Sequence, residues 1–360
     1  MTLPFDYGDY TIGWICALPK EMTAAVAMLD QSHDSLPQPV SDHNSYSLGS
    51  IGSFNIVIAC LPSGDIGSHP AAAVATRMLA TFPSLKIGLM VGIGGGVPSK
   101  DHDIRLGDVV VGIPTKGFGG IVQHDMGKNL KNGEWLRTGS LNGPPSVLKT
   151  AISKLISLHR IHGTKIDCYL AQMIERHPNL SPEFTHQKFF EDVLYEAEPE
   201  DPEAFEKWVK IDRPARPSNK AIEIHYGLIA SGNQVIKSGR KRNQISRELG
   251  GVLCFEMEAA GLMNEFPCVV IRGICDYADA HKNKEWQEYA AAVAAAYTKE
   301  LITTLPVAIT EKSIKNKDTQ TTLPATTVES VQAKKSGKSI KFVLTIVEYL
   351  GYPSVHNLDP

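Results

Sequence analysis

The feature that most constrains this chain is a set of short runs that are apolar throughout rather than at alternate positions. "YTIGWICAL" (10–18), "FNIVIACL" (54–61), "KIGLMVGIGGGVP" (86–98), "GDVVVG" (107–112), "IHYGLIASG" (224–232) and "PCVVIRGICD" (267–276) read as buried strands. Between them lie helical stretches. "KEMTAAVAML" (20–29) follows the first strand, and "PSGDIGSHPAAAVATRML" after the second is a Gly- and Ser-bearing turn leading into an Ala-rich helix. "WQEYAAAVAAAYTKELI" (286–302) is a closing helix with small residues on several faces. Strands without a polar face must be covered on both sides, so the pattern implies a sheet with helices above and below it. Ligands of such sheets bind outside the carboxyl ends of the strands. The polar and glycine residues placed there are Glu21, Ser63, Gly94 to Gly96, Asn233 and Asp276.

Two stretches depart from this pattern. Residues 164–220 are rich in charge and proline and read as an inserted, partly helical surface excursion. Residues 307–340, of low hydrophobicity, read as a solvated linker, followed by the short apolar amphipathic piece "SIKFVLTIVEYLGYP" within a terminal segment at 341–360. The expected globular unit is therefore residues 8–306.

A formal net charge of -3 gives no reason to expect nucleic acid or an acidic membrane as partner. No stretch reaches the roughly 18 uninterrupted apolar residues of a membrane helix. The start "MTLPFDYGDYTIGW" lacks the basic and apolar regions of a secretory signal. The cysteines Cys16, Cys60, Cys168, Cys254, Cys268 and Cys275 are scattered without a C-x-x-C, as suits free thiols in a reducing compartment. A cytoplasmic location is the expectation. Asp6 and Asp9 in "FDYGDY" are too few for a hard cation's oxygen cage, and His43, His69, His124 and His225 stand apart, so neither a metal nor another cofactor is expected.

"CFEMEAAG" (254–261) sets Glu256 and Glu258 among Cys254, Phe255, Met257, Ala259 and Ala260. A carboxylate in such surroundings costs several kcal/mol unless something pairs with it. One candidate partner is Arg272, in the strand that follows; another is a bound ligand.

Taken together, "CFEMEAAG", "VVIRGICDYAD", "GLIASGNQVI" and "VGIGGGVP" resemble the superfamily of purine nucleoside phosphorylases and methylthioadenosine/S-adenosylhomocysteine nucleosidases. The nearest expected relatives are fungal members, some of which form the N-terminal domain of NLR-like proteins. The resemblance covers roughly residues 10–305 and rests on several motifs in the family's chain order. It implies an α/β three-layer sandwich with a central mixed, mostly parallel sheet, and a homodimer or homotrimer. It also implies cleavage of the N-glycosidic bond of a purine ribonucleoside such as adenosine, inosine or guanosine.

By that resemblance Asp276 is the acid at purine N7, with Cys275 where many relatives have Ser. Its apolar neighbours Ile271, Ile274 and Cys275 favour the protonated form, which suits a general acid, although helix capping would equally explain an Asp there. Glu258 matches the glutamate that grips the ribose hydroxyls, Met257 packs on the ligand, and Glu256 supports them. Glu21 falls where the nucleosidase branch activates water, with Pro19 and Lys20 in place of acidic residues. The alternative is a solvated glutamate favoured by the helix dipole. Ser63 and Gly64 resemble the nucleophile-binding turn, and Arg272 orients nucleophile and carboxylates. Gly94 and Gly95 belong to the glycine loop beside the ribosyl site. Asn233 or Gln234 lies near the base edge, with Val235 and Ile236 lining the base pocket or simply filling core.

The nucleophile decides between two reactions. A phosphorylase needs several cations around a phosphate. Beyond Arg272 the chain offers Arg77, deep in the Ala-rich helix, and Arg105, which matches no phosphate ligand. A carboxylate at position 21 would repel phosphate, so water is the preferred nucleophile. Phosphorolysis, and a nucleoside-sensing NLR-type effector module, remain the alternatives.

Overall fold

The computed structural model describes residues 5–131, 133–187, 190–199, 207–217 and 221–307. The expected linker and terminal segment lie, beyond Val307, outside the described residues. Along the chain run β1 (Ile12–Cys16), α1 (Pro19–Ala27), β2 (Gln31–His33), β3 (Tyr46–Ile51), β4 (Phe54–Cys60), α2 (Ser68–Thr81), β5 (Ile87–Gly96) and β6 (Val109–Gly112). Then come β7 (Ile121–Gln123), β8 (Gly127–Asn129), β9 (Trp135–Arg137), α3 (Ser146–His162), α4 (Ile166–Arg176) and α5 (Ser181–Phe184). The remainder is β10 (Ile224–Gly227), β11 (Ile229–Ser231), α6 (Gly239–Glu248), β12 (Cys254–Glu256), β13 (Cys268–Asp276) and α7 (Gln287–Thr304).

The main sheet runs in the order β10-β6-β13-β5-β1-β4-β3-β2, with β12 pairing β5 and β11 lying between β12 and β7. Pairs β1–β4, β1–β5, β13–β5, β10–β6, β11–β12 and β11–β7 are parallel; β13–β6, β12–β5, β3–β4 and β2–β3 are antiparallel. The sheet is mixed and mostly parallel, as the fold class requires.

The all-apolar strands feed two different cores. On β1, Ile12, Trp14 and Cys16 pack with α1, α3, α4 and α7, while Ile15 packs on the other side with α2. Leu89 and Val91 of β5 share the first core and Met90 the second; Val269 and Ile271 of β13 divide from Val270 in the same way. Side chains alternate across a strand, so each face needs its own apolar cover. Helix α7 is buried along nearly its whole length, which its small alanines permit.

Three expectations change. "IHYGLIASG" is two strands, because the chain switches partners at Leu228: β10 pairs with β6 and β11 with β12 and β7. The glycines Gly94 to Gly96 lie within β5, and Asp276 ends β13, rather than following their strands. The stretch 164–220 begins inside the core, since Ile166 and Met173 of α4 and Phe184 of α5 are buried in the cluster that holds α7. Among the described residues no helix is long and apolar enough to cross a membrane.

Candidate active site

The carboxyl ends of β1, β5 and β13 open onto a cavity of about 290 Å³. One corner is built by the turn from β1 into α1. Pro19 opens the helix, where its fixed φ fits and its missing N–H is no loss. That start puts Glu21 in the first turn, but its side chain folds inward and is buried rather than solvated. Oε2 accepts the N–H groups of Ala17 (2.7 Å) and Leu18 (3.0 Å), and Oε1 accepts that of Ile93 (2.8 Å). Burial pushes the Glu21 carboxyl above its ordinary range, against the opposing pull of Arg272 and these backbone donors. A carboxylate so fixed and so poised suits a general base.

Arg272, in the middle of β13, is 1% exposed and holds the next corner together. Its Nη2 donates to Oε2 of Glu256 and, at 3.3 Å, to Oε2 of Glu258, while Nη1 donates to the carbonyl of Ile93 at 3.3 Å. Its buried Nε has no partner among the described residues. Glu256 is consumed by structure: besides Arg272 it accepts the N–H groups of Glu258 (3.1 Å) and Ala259 (3.0 Å). Glu258 is less fully satisfied, with only long contacts to the N–H groups of Gly67 and Met257, both 3.4 Å. Burial, outweighing Arg272 and aided by the negative charges of Glu256 and Glu21, pushes the Glu258 carboxyl up to about 7. The two glutamates thus part company. Glu256 anchors the guanidinium and the turn, and Glu258 keeps acceptor capacity for something in the cavity.

At the far side stands Asp276. Its Oδ1 accepts the N–H of Ala278 at 2.8 Å, which holds Ala278 in the left-handed region at φ 50°. A non-glycine residue held there is strained, and such strain clusters at functional sites. Oδ2 meets the Lys282 ammonium at 2.9 Å and the Cys275 thiol at 3.2 Å. The surroundings expected from sequence were apolar; a cation is there as well. Gly95 passes so close that a Cβ on it would lie 2.8 Å from Oδ1 of Asp276. The charge-rich stretch after α5 braces this loop. Tyr277 donates its hydroxyl proton to Asp192, and Arg213 donates to both Asp192 and Tyr277 at 2.8 Å.

The structure brings Glu21, Arg272, Glu256, Met257, Glu258, Gly94, Gly95, Gln234, Val235, Ile236 and Asp276 to the one cavity. Three expected residues are not in its lining. Ser63 and Gly64 sit at the tip of an exposed turn closed by Asp65 N–H to Pro62 carbonyl (3.0 Å), and the residue that reaches the cavity from this turn is Ile66. Asn233 is also exposed and works as a staple. Its Oδ1 accepts the N–H (3.0 Å) and hydroxyl (2.9 Å) of Ser68, and its own N–H donates to Asp125 (2.7 Å). Lys282, Ile93, Phe255 and Gln287 line the cavity without having been singled out from sequence. Lys282 sits in the charged string "DAHKNKEW", which looks like solvated loop. Only its spacing after Asp276 could have flagged it.

Among the described residues no group of three or more His, Cys, Asp or Glu side chains is placed to hold a metal. What Glu256 and Glu258 converge on is a guanidinium. Arg105 lies away from the cavity, donating to Asp103 and to the Pro214 carbonyl.

A family model for the phosphorylase superfamily matches residues 11–305. A nucleotide-binding leucine-rich repeat (NLR)-like protein of Hyaloscypha variabilis is 51% identical over 296 residues, covering 82% of this chain but 29% of that relative. The chain thus spans less than a third of that protein's length. The 5′-methylthioadenosine/S-adenosylhomocysteine nucleosidase of Mycobacterium bovis is 25% identical over 303 residues, covering 82% of this chain and 97% of the relative. Among solved structures, the corresponding nucleosidase of Helicobacter pylori superposes with a TM-score of 0.54 at 19% identity, over 83% of this chain and all of that one. Futalosine hydrolase of the same organism gives 0.51 at 19% identity, over 82% and 99%. At such identities the structural likeness is one of fold.

Proposed function

The chain belongs to the phosphorylase superfamily, and from that premise we propose that it hydrolyses the N-glycosidic bond of purine ribonucleosides to free base and ribose. One observation carries the choice of reaction: Glu21 is buried, fixed by backbone N–H groups of Ala17, Leu18 and Ile93, and faces the same cavity as Glu258 and Asp276. Leaving-group departure builds positive charge on the ribosyl carbon, and carboxylates around the sugar stabilise that charge. Glu21 takes the proton of an attacking water held beside Arg272. Glu258 accepts the ribose hydroxyls, and Asp276 serves the departing base at N7, an atom pyrimidines lack. Val235, Ile236, Phe255 and Met257 supply the apolar surface against which a base and sugar pack.

Phosphorolysis fits less well. Arg272 is already engaged by Glu256 and Glu258, and Lys282 is bound to Asp276, so neither cation is free to clamp a dianion, which Glu21 would also repel. The NLR-like relative supports a second reading, in which this unit serves a larger sensor or effector. Incubating purified protein with adenosine, inosine and guanosine, with and without phosphate, separates the three. Free ribose without phosphate supports hydrolysis, ribose 1-phosphate only with phosphate supports phosphorolysis, and no product supports a binding module. We carry a homodimer or homotrimer and a cytoplasmic location as further parts of the proposal, the first tested by light scattering and the second by fractionation.

A further inference from the structure

The proposed roles leave one charged group of the cavity without a task. Lys282 comes from the loop between β13 and α7, and its Nζ sits 2.9 Å from Oδ2 of Asp276. The Asp276 side chain is 3% exposed and that of Lys282 28%, so the ammonium stands between the buried carboxyl and solvent. With Ala278 N–H on Oδ1 and Lys282 and Cys275 on Oδ2, both Asp276 oxygens face donors. Lys282 and Asp276 form a salt bridge, ammonium against carboxylate. A carboxylate cannot protonate a base. Burial lowers the proton affinity of Lys282, but the Asp276 carboxylate more than offsets this and favours the ammonium form.

We propose that Lys282 is the positioning residue that supplies the acid function of this site, passing its proton through Asp276 to the departing purine. The inference rests on the hydrolytic reading above. As the bond from C1′ to N9 breaks, its electron pair moves into the purine. The negative charge building on the purine beside Asp276 draws a proton toward the base. A proton then moves from Nζ to Asp276 and from Asp276 to N7. Water oxygen bonds to C1′ and gives a proton to Glu21. Exchange with solvent later returns a proton to Lys282 and removes one from Glu21. The sum is nucleoside plus water giving base plus ribose, with no other reactant.

A leaving group that needs no proton tests this. Purine nucleosides and 4-nitrophenyl β-D-ribofuranoside share the sugar but differ in the demand for acid. Lys282→Met is expected to lower kcat on purine nucleosides by about 100-fold, within the range that loss of general acid catalysis covers, while aryl riboside cleavage stays within about threefold. Lys282→Arg keeps a cation against Asp276 but does not release its proton, so it should melt like the wild type and stay slow on nucleosides. Equal losses on both substrates, or nucleoside activity restored by arginine, would make Lys282 a structural cation and overturn the proposal. A wild-type protein that cleaves neither riboside would instead defeat the hydrolytic reading on which it stands.

Discussion

A Cβ on Gly92 would lie 2.3 Å from Oε1 of Glu21. The same atom would be 2.6 Å from Nη1 of Arg272, so β5 can pass beneath both groups only as bare backbone. The next residue along, Ile93, donates its N–H to that same Glu21 oxygen. The glycine run of β5 therefore sets the distance between the proposed base and its cation. Gly92→Ala is expected to push Glu21 out of position and lower nucleoside hydrolysis at least 100-fold, about the size of effect that misplacing a catalytic group has. Its stability cost should be only about 1–3 kcal/mol, as for other overpacked sites. Base release and a denaturant titration check the two together, and a fully active Gly92→Ala would place the nucleophile elsewhere.

Glu21→Gln tests the base itself. The amide is nearly isosteric but takes no proton, so kcat should fall about 100- to 10,000-fold, the usual reach of general base catalysis. KM should change little, because the grip on the sugar is assigned to Glu258. Steady-state kinetics on inosine or adenosine decide the matter. Unchanged kcat would remove water activation from Glu21.

Glu258 should make stability and binding respond to pH in opposite directions. Its folded-state carboxyl is pushed up to about 7, above its ordinary value, by burial first, with Arg272 opposing and Glu256 and Glu21 adding to it. The folded chain therefore holds a proton there that the unfolded chain has released. The resulting contribution is complete below the ordinary carboxylate range and is lost as pH rises through about 7. Charge-assisted hydrogen bonds from the ribose hydroxyls need the ionised form, so nucleoside affinity should rise over that window. Denaturant titrations at pH 5 and pH 8, set beside calorimetric binding of a non-hydrolysable nucleoside analogue, should show both trends. Glu258→Gln should flatten both, and a binding curve without pH dependence in the wild type would deny Glu258 the sugar.

Much of this was legible in the chain, and what was not follows a pattern. Strands β1, β4, β5, β6 and β13 announced themselves because they are apolar on both faces, and the sheet is covered by helices on both faces. Glu21 and Asp276 drew notice because each sits where a buried strand ends, and Glu258 because it breaks an apolar run; that they would share one cavity came from the family resemblance, and they do line one cavity. Local pattern failed where tertiary partners decide. "IHYGLIASG" carries no mark of its change of partners at Leu228. Ser63 looked like a ligand-binding turn, yet the turn projects outward and presents Ile66 instead. Asn233, polar and just past a strand, spends its side chain on Ser68. Lys282 was hidden among charges that looked solvated, because the carboxylate that recruits it lies on another element.

The Asn233 staple leads to a prediction of its own. By accepting from both the N–H and the hydroxyl of Ser68, it ties the start of α2 to the loop after β11 that carries Gln234, Val235 and Ile236. Asn233→Ala should loosen that wall of the cavity, raising KM several-fold, roughly the worth of one or two neutral hydrogen bonds, with kcat nearly unchanged. A fall in kcat at constant KM would put Asn233 on the ligand.

Removing Arg272 should be the most damaging single change, for electrostatic reasons that can be separated from packing. Its guanidinium is 1% exposed and bonds Glu256 and Glu258, with Glu21 held nearby on Ile93. Arg272→Met fills much of the space but leaves carboxylates facing one another out of water, a loss of about 3–5 kcal/mol. Lysine presents a point charge in place of a planar fork and cannot reproduce contacts to Glu256, Glu258 and the Ile93 carbonyl together. Because the penalty comes from uncompensated negative charge, Arg272→Met should regain stability as pH falls and the carboxyls take up protons, opposite to ordinary acid destabilisation. Adding Glu256→Gln should recover part of the loss at neutral pH. Denaturant titrations of wild type, both single variants and the double form the cycle. If the Arg272→Met deficit were the same at pH 5 and pH 8, the loss would come from packing, and the glutamates would not depend on Arg272 for their burial.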